Sequence, residues 1–248
     1  MSDADNILIV DAGNTHIKLT AFKGDNVLWV KRCQDDSVVN STMGGFVPQA
    51  IYLASVRSEV QSIALHTELQ TLFPHVKSLR LMTQAMACGV HNAYVEPARL
   101  GVDRWLGVIG AHHCIQGGAV VVDAGTAIKV DVVNDAGVHL GGYIVPGLSM
   151  MESALLSNTA RIRYDDTEVV SGHGLPDSTA RAVTEGCYEM ALGFLERVYR
   201  QYSDFTWVVT GGDGQSLLEH LGIPALCEPH LIAIGAKWMG NECMREGQ

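Results

Sequence analysis

The chain has 248 residues, 47 % apolar and 18 % charged, which suits a globular protein of one large domain or two of about 120 residues and excludes a disordered one. Its net charge of −10 argues against a nucleic-acid partner, which needs clustered Lys and Arg, and favours a small molecule. No apolar run approaches the roughly 18 residues of a membrane span, and the acidic start Met1-Ser2-Asp3-Ala4-Asp5 resembles neither a secretory signal nor a transit peptide.

In chain order, Ile7-Leu8-Ile9-Val10 predicts a strand that leads into Asp11-Ala12-Gly13-Asn14-Thr15-His16-Ile17-Lys18, an acidic glycine turn followed by a second strand. Lys23-Gly24-Asp25-Asn26 predicts a hairpin turn and Val27-Leu28-Trp29-Val30 a third strand. Ala50–Ala54 reads as a buried strand, residues 58 to 72 as an amphipathic helix and Ser78–Met82 as a further strand. Residues 101 to 115 form a helix with Val102, Trp105, Leu106, Val108 and Ile109 on its apolar face, and Gly117-Gly118 then breaks the chain. The pair His112-His113 falls on the polar side of that helix, in a solvated or capping role.

The first pattern then repeats. Val120-Val121-Val122 leads into Asp123-Ala124-Gly125-Thr126-Ala127-Ile128-Lys129, with a hairpin turn at Asn134-Asp135-Ala136-Gly137 and an apolar run at Val138-His139-Leu140. Helices over about 148 to 159 and 179 to 201 precede the strand Thr206–Thr210, which ends in Gly211-Gly212-Asp213, and a helix over roughly 231 to 245 follows. The duplication predicts two similar α/β domains, 1–116 and 117–248, whose turns line a shared cleft.

A lone Asp-Ala-Gly is an ordinary hairpin turn, but two in matched contexts point to a ligand. Glycine lets the backbone approach closely with its N–H available, Asn and Thr add hydrogen-bonding groups, and a carboxylate holds a metal ion or its water. Phosphate chemistry uses all three. The six cysteines lack close pairing and the spacing of a zinc site, which fits reduced thiols in a cytoplasm.

These motifs resemble the actin, sugar kinase and heat-shock chaperone superfamily, and within it the type III pantothenate kinases. Asp11-x-Gly13-Asn14-Thr15-x-x-Lys18 resembles that family's first phosphate motif, Gly101-x-Asp103-Arg104 its substrate motif, and Asp123-x-Gly125-Thr126-Ala127 its second phosphate motif; Gly141–Gly147 and Thr210–Asp213 follow in family order. The resemblance implies two ribonuclease H-like domains, each a mixed five-stranded sheet flanked by helices, around a nucleotide cleft. It implies a cytoplasmic homodimeric kinase that phosphorylates pantothenate with ATP and Mg²⁺, the first step towards coenzyme A. Two departures stand out: Lys129 lies where the family usually has a small hydroxyl residue, and Leu175–Thr179 is a loose version of a more regular Leu-Gly-x-Asn-Thr.

By that resemblance Asp103 is the base, stabilised at a helix opening by the macrodipole, so that it orients the hydroxyl and accepts its proton late; the alternative is a helix cap. Arg104 offers a fork to the pantothenate carboxylate, the alternative being a surface ion pair with Asp103 or Glu96. Gly101, Val102, Tyr94 and Thr179 complete the substrate contacts, Thr179 from the second subunit, although Tyr94 also reads as a half-buried loop aromatic. Asp11 holds Mg²⁺ through water, and Gly13, Asn14, Thr15, Lys18 and Thr126 contact the phosphates, with Lys18 equally readable as a solvated strand residue. Gly211 and Gly212 let the backbone approach adenosine, or form a plain strand-to-helix turn. Asp123 takes the position that binds K⁺ or NH₄⁺ in the family. The runner-up reading is a non-catalytic regulatory or accessory protein on the same fold.

Overall fold

The computed structural model describes residues 5–33 and 45–247; residues 1–4 of the acidic start lie outside them. Strands β1 (Asn6–Ala12), β2 (Ile17–Lys23) and β3 (Asn26–Cys33) form a meander. Its second turn carries Gly24 at φ 55°, a left-handed conformation that glycine adopts without a Cβ clash. Strand β4 (Ala50–Ser55), buried along nearly its whole length, pairs parallel to β1. Helix α1 (Glu59–Leu72) opens on a capping box, in which the Ser58 side chain accepts from the Gln61 N–H and Gln61 accepts from the Ser58 N–H. Then come β5 (Lys77–Arg80), the short pair β6 (Met86–Ala87) and β7 (Val90–His91), and helix α2 (Val102–Cys114).

The second copy comprises β8 (Ala119–Ala124), β9 (Ala127–Val133), β10 (His139–Pro146), α3 (Leu148–Asn158), α4 (Thr179–Gln201), β11 (Thr206–Thr210), α5 (Gly214–His220) and β12 (Ala225–Cys227), and α6 (Leu231–Glu246) follows. The two large sheets have matching orders, β3-β2-β1-β4-β5 and β10-β9-β8-β11-β12. In each, the first strand of the copy is central and pairs parallel to the strand that follows the meander. The same mixed α/β architecture is thus built twice. Ile7–Val10 and Val120–Val122 read as unbroken apolar runs because a central strand is covered on both faces.

The chain forms two compact units, Met1–Gln116 with Val133–Gly141 and His230–Gln248, and Gly117–Val132 with Gly142–Pro229. Helix α6 packs into the first unit. The reason is a close approach of backbones: a Cβ on Gly110 would fall on the Leu231 carbonyl, and one on Gly235 would fall on that of Leu106. Gly240 lies flat on the Tyr52 ring, and the Tyr52 hydroxyl donates to Asn241 Oδ1 at 2.8 Å. Gly235→Ala is expected to cost about 1–3 kcal/mol by overpacking this crossing. Each kcal/mol lowers the melting temperature of a domain this size by about 2–4 °C, so calorimetry reads the loss directly. Gly193→Ala on α4, where an added Cβ meets nothing, is the control that should hold or raise it.

His113 is exposed, as its place on the polar side of the helix suggested, but it is not without partners. Its ring stacks on Trp238 at 4.0 Å and its Nε2 lies 3.0 Å from the Cys88 carbonyl, and partial burial holds its pKa below the usual histidine value. Among the described residues no helix is long and apolar enough to cross a membrane.

Candidate active site

In the first unit, β1 delivers Asp11 to the strand end, and the Gly13 N–H donates to the His16 carbonyl at 3.0 Å, closing a turn that leaves Asn14 and Thr15 exposed. Asp11 and Lys18 are register partners across the hairpin, both half-buried. The turn is strapped to the exit of β4: the Val56 N–H donates to the Ala12 carbonyl at 3.1 Å and Arg57 Nε to the Gly13 carbonyl at 2.9 Å. Sequence reasoning missed Arg57, which sets a guanidinium beside the Gly13 turn. The signal available was its place just past a parallel strand's carboxyl end, where α/β ligand sites gather.

The Gly101–Arg104 motif opens α2 in the same unit. Gly101 is the capping position, no side chain caps it, and Asp103 Oδ1 accepts the Arg104 N–H at 2.8 Å from within the first turn. A Cβ on Gly101 would stand 2.7 Å from Asp103 Oδ1 and 4.0 Å from Val56 Cγ1, so this motif lies against the loop that straps the Gly13 turn. Arg104 is not at the surface: the residue is 6 % exposed, its Nη1 donates to the Tyr94 hydroxyl at 2.8 Å, and its guanidinium lies 5.8 Å from the Tyr94 ring centroid. Glu96 instead approaches Arg99, at 3.8 Å. Behind Tyr94 the fully buried His139 stacks at 6.4 Å between centroids, and its Nδ1 accepts the Ala93 N–H. No sequence signal marked His139, because only the folded chain brings residues 94 and 139 together.

In the second unit three glycine motifs converge where β8 and β11 end. The Gly147 N–H donates to the Thr126 carbonyl at 3.1 Å, and a Cβ there would fall on the Gly125 carbonyl. Gly211, at φ 86°, lies against Ala124, whose carbonyl also accepts the Asp213 N–H at 3.2 Å. Thr126, Gly211 and Gly212 are exposed there, a surface of backbone that a phosphorylated ligand can approach. On the flank of the turn Lys129 Nζ stands 2.6 Å from Asp123 Oδ2.

Thr179 is exposed at the first position of α4, and Ser178 caps that helix by accepting the Arg181 N–H. Arg181, 5 % exposed, pairs with Asp177 at 3.0 Å and Glu185 at 2.7 Å, which anchors the segment where the family motif is loose. Among the described residues no group of three or more His, Cys, Asp and Glu could hold a metal ion. Mg²⁺ in a nucleotide site commonly takes one or two carboxylates, with phosphate and water as its other ligands, and Asp11 beside the Gly13–Thr15 turn fits that demand.

Twin five-stranded sheets, each presenting an acidic glycine turn at the end of its central strand, have the architecture of the sugar kinase and actin-like ATPase fold. Two solved structures share it across the whole chain at identities that speak for fold alone. A Campylobacter jejuni protein described as a Baf family transcriptional activator has TM-score 0.61 and 22 % identity, covering 97 % of this chain and 98 % of that one. A Sinorhizobium meliloti protein described as a 2-dehydro-3-deoxygalactonokinase has TM-score 0.58 and 14 % identity, covering 96 % and 99 %. The family model for type III pantothenate kinase matches residues 7–201. The type III pantothenate kinase of Marinomonas sp. (strain MWYL1) is 62 % identical over 245 residues, 99 % of each chain, and that of Pseudomonas aeruginosa (strain LESB58) is 36 % identical over 92 % of this chain and 96 % of its own. The chain belongs to the type III pantothenate kinase family.

Proposed function

We propose that the protein transfers the γ-phosphate of ATP to the terminal hydroxyl of pantothenate, giving 4'-phosphopantothenate and ADP at the start of coenzyme A synthesis. The observation that carries this reading is the opening of α2, where a carboxylate on the first turn is followed by a buried guanidinium held by Tyr94. Arg104, with Tyr94, Gly101 and Val102, takes the carboxylate end of pantothenate. Asp103 meets the opposite end. The hydroxyl oxygen attacks the γ-phosphorus in line with the bridging oxygen; the new P–O bond forms as the old one breaks, ADP leaves with the electron pair, and the hydroxyl proton passes to Asp103.

Gly13, Asn14, Thr15 and Lys18 of the first unit bind phosphate oxygens, and Arg57 stiffens their turn. Thr126 of the second unit does the same from its own turn, where Gly211 and Gly212 let the backbone approach adenosine. Bound Mg²⁺, held by Asp11 through water, neutralises charge on the phosphates. Asp123 holds a single positive charge near them.

The protein is further proposed to act as a cytoplasmic homodimer, with Thr179 of the partner subunit completing the pantothenate site. Support for the dimer comes from α3, which is rich in Leu and Met yet has no buried residue, beside a groove of 790 Å³ lined by Leu156, Tyr164, Val169 and Tyr188. Support for a reducing compartment comes from Cys33, Cys88 and Cys187, which are buried thiols.

Purified protein given Mg·ATP should release ADP, measured directly by chromatography, only when pantothenate is present. A folded protein that releases none would overturn the catalytic reading in favour of an accessory protein on the same fold.

A further inference from the structure

The family resemblance places an inorganic monovalent cation at Asp123, and the residues here do not fit one. Asp123 lies one residue before the end of β8, Lys129 stands on β9, and their side chains, 20 % and 21 % exposed, meet at 2.6 Å. Potassium gains from a carboxylate by direct contact with its oxygens, and an ammonium group already in contact repels a second cation there. The turn has little room to rearrange, because Thr126 is tied to Gly147 and Ala124 to Asp213 by backbone hydrogen bonds. A lysine head is itself an ammonium ion, with one charge and three donors. The first copy has the same pairing in its register, where Asp11 faces Lys18 across the equivalent hairpin.

We propose that the Lys129 ammonium is a built-in monovalent cation, shared between Asp123 and the phosphates of the nucleotide, so that this enzyme needs no potassium or ammonium. The inference rests on the phosphotransfer reading above and adds to it the residue that sets the ion requirement. The small hydroxyl residue usual at this position leaves a space that a free ion can fill; the lysine fills that space and carries the charge.

Two measurements test it, one of which involves no turnover. Binding of Mg²⁺ with a non-hydrolysable ATP analogue is followed by calorimetry in potassium and in tetramethylammonium, an ion too large for the site. The wild-type dissociation constant should agree between the two within about twofold, whereas Lys129→Ser should bind about tenfold or more weakly in tetramethylammonium and recover in potassium. Lys129→Met, which fills the space without charge, should stay weak in both. Pantothenate-dependent ADP release should follow the same pattern. Wild-type binding that strengthens about fivefold or more with potassium, or Lys129→Ser binding indifferent to both the substitution and the ion, would overturn the proposal. Absence of turnover alongside the expected binding pattern would count against pantothenate as acceptor and leave the built-in cation standing.

Discussion

Asp103→Asn is expected to lower kcat by about 10²- to 10⁴-fold, the usual worth of a positioned base, while the melting temperature and the affinity for Mg·ATP stay near wild type. The geometry makes this substitution clean. Asp103 Oδ1 accepts the Arg104 N–H at 2.8 Å, and the side-chain amide oxygen of the variant can accept the same bond. The first turn of α2 therefore keeps its hydrogen bond and loses only a charge at the positive end of the helix, worth about 0.3–1 kcal/mol at a surface site. What disappears is the acceptor for the hydroxyl proton. Pre-steady-state measurement of phosphorylated product separates this loss from slow product release, and a variant that keeps most of its kcat would remove Asp103 from the role of base.

The parts of this site that could be read from the sequence are those in which a few adjacent residues do the work. Asp11–Thr15 and Asp123–Thr126 each close a hairpin locally, and Gly101–Arg104 each serve at one helix opening, so spacing alone brings them together. Helices α2, α3, α4 and α6 also appear within a residue or two of their expected bounds; α2, α4 and α6 each bury an apolar face, and Ser178 caps α4. What stayed hidden depends on contacts over long separations. The α2–α6 crossing through Gly110 and Gly235 moves the C-terminal helix into the first unit, and helical periodicity says only that a face is buried, not against what. Arg57 and His139 act on residues 44 and 46 positions away, and neither lies in a motif. Lys129 was visible as a departure, yet its partner followed only from the pairing of β8 with β9.

Arg104 should prove the residue that selects for a carboxylate at the far end of the acceptor. Truncating one member of a buried, hydrogen-bonded charge pair costs about 2–5 kcal/mol, so Arg104→Met is expected to raise KM for pantothenate by about 30-fold or more. Methionine keeps most of the stem volume but leaves the Tyr94 hydroxyl without its donor, and a stability loss of about 1 kcal/mol should accompany the change. Arg104→Lys restores the charge without the planar fork, and should recover only part of the affinity. Tyr94→Phe keeps the ring beside the guanidinium and removes one acceptor, so its effect should be about fivefold, near the worth of a single hydrogen bond. The deciding comparison uses the alcohol analogue of pantothenate, in which the carboxylate is reduced to a hydroxymethyl group and the reacting hydroxyl is unchanged. Wild-type kcat/KM should fall steeply on going from acid to alcohol, because the buried guanidinium then lacks its anion, whereas Arg104→Met should treat the two acceptors nearly alike. Equal discrimination in variant and wild type would mean that the carboxylate is held elsewhere and that Arg104 serves only to pack Tyr94 against His139.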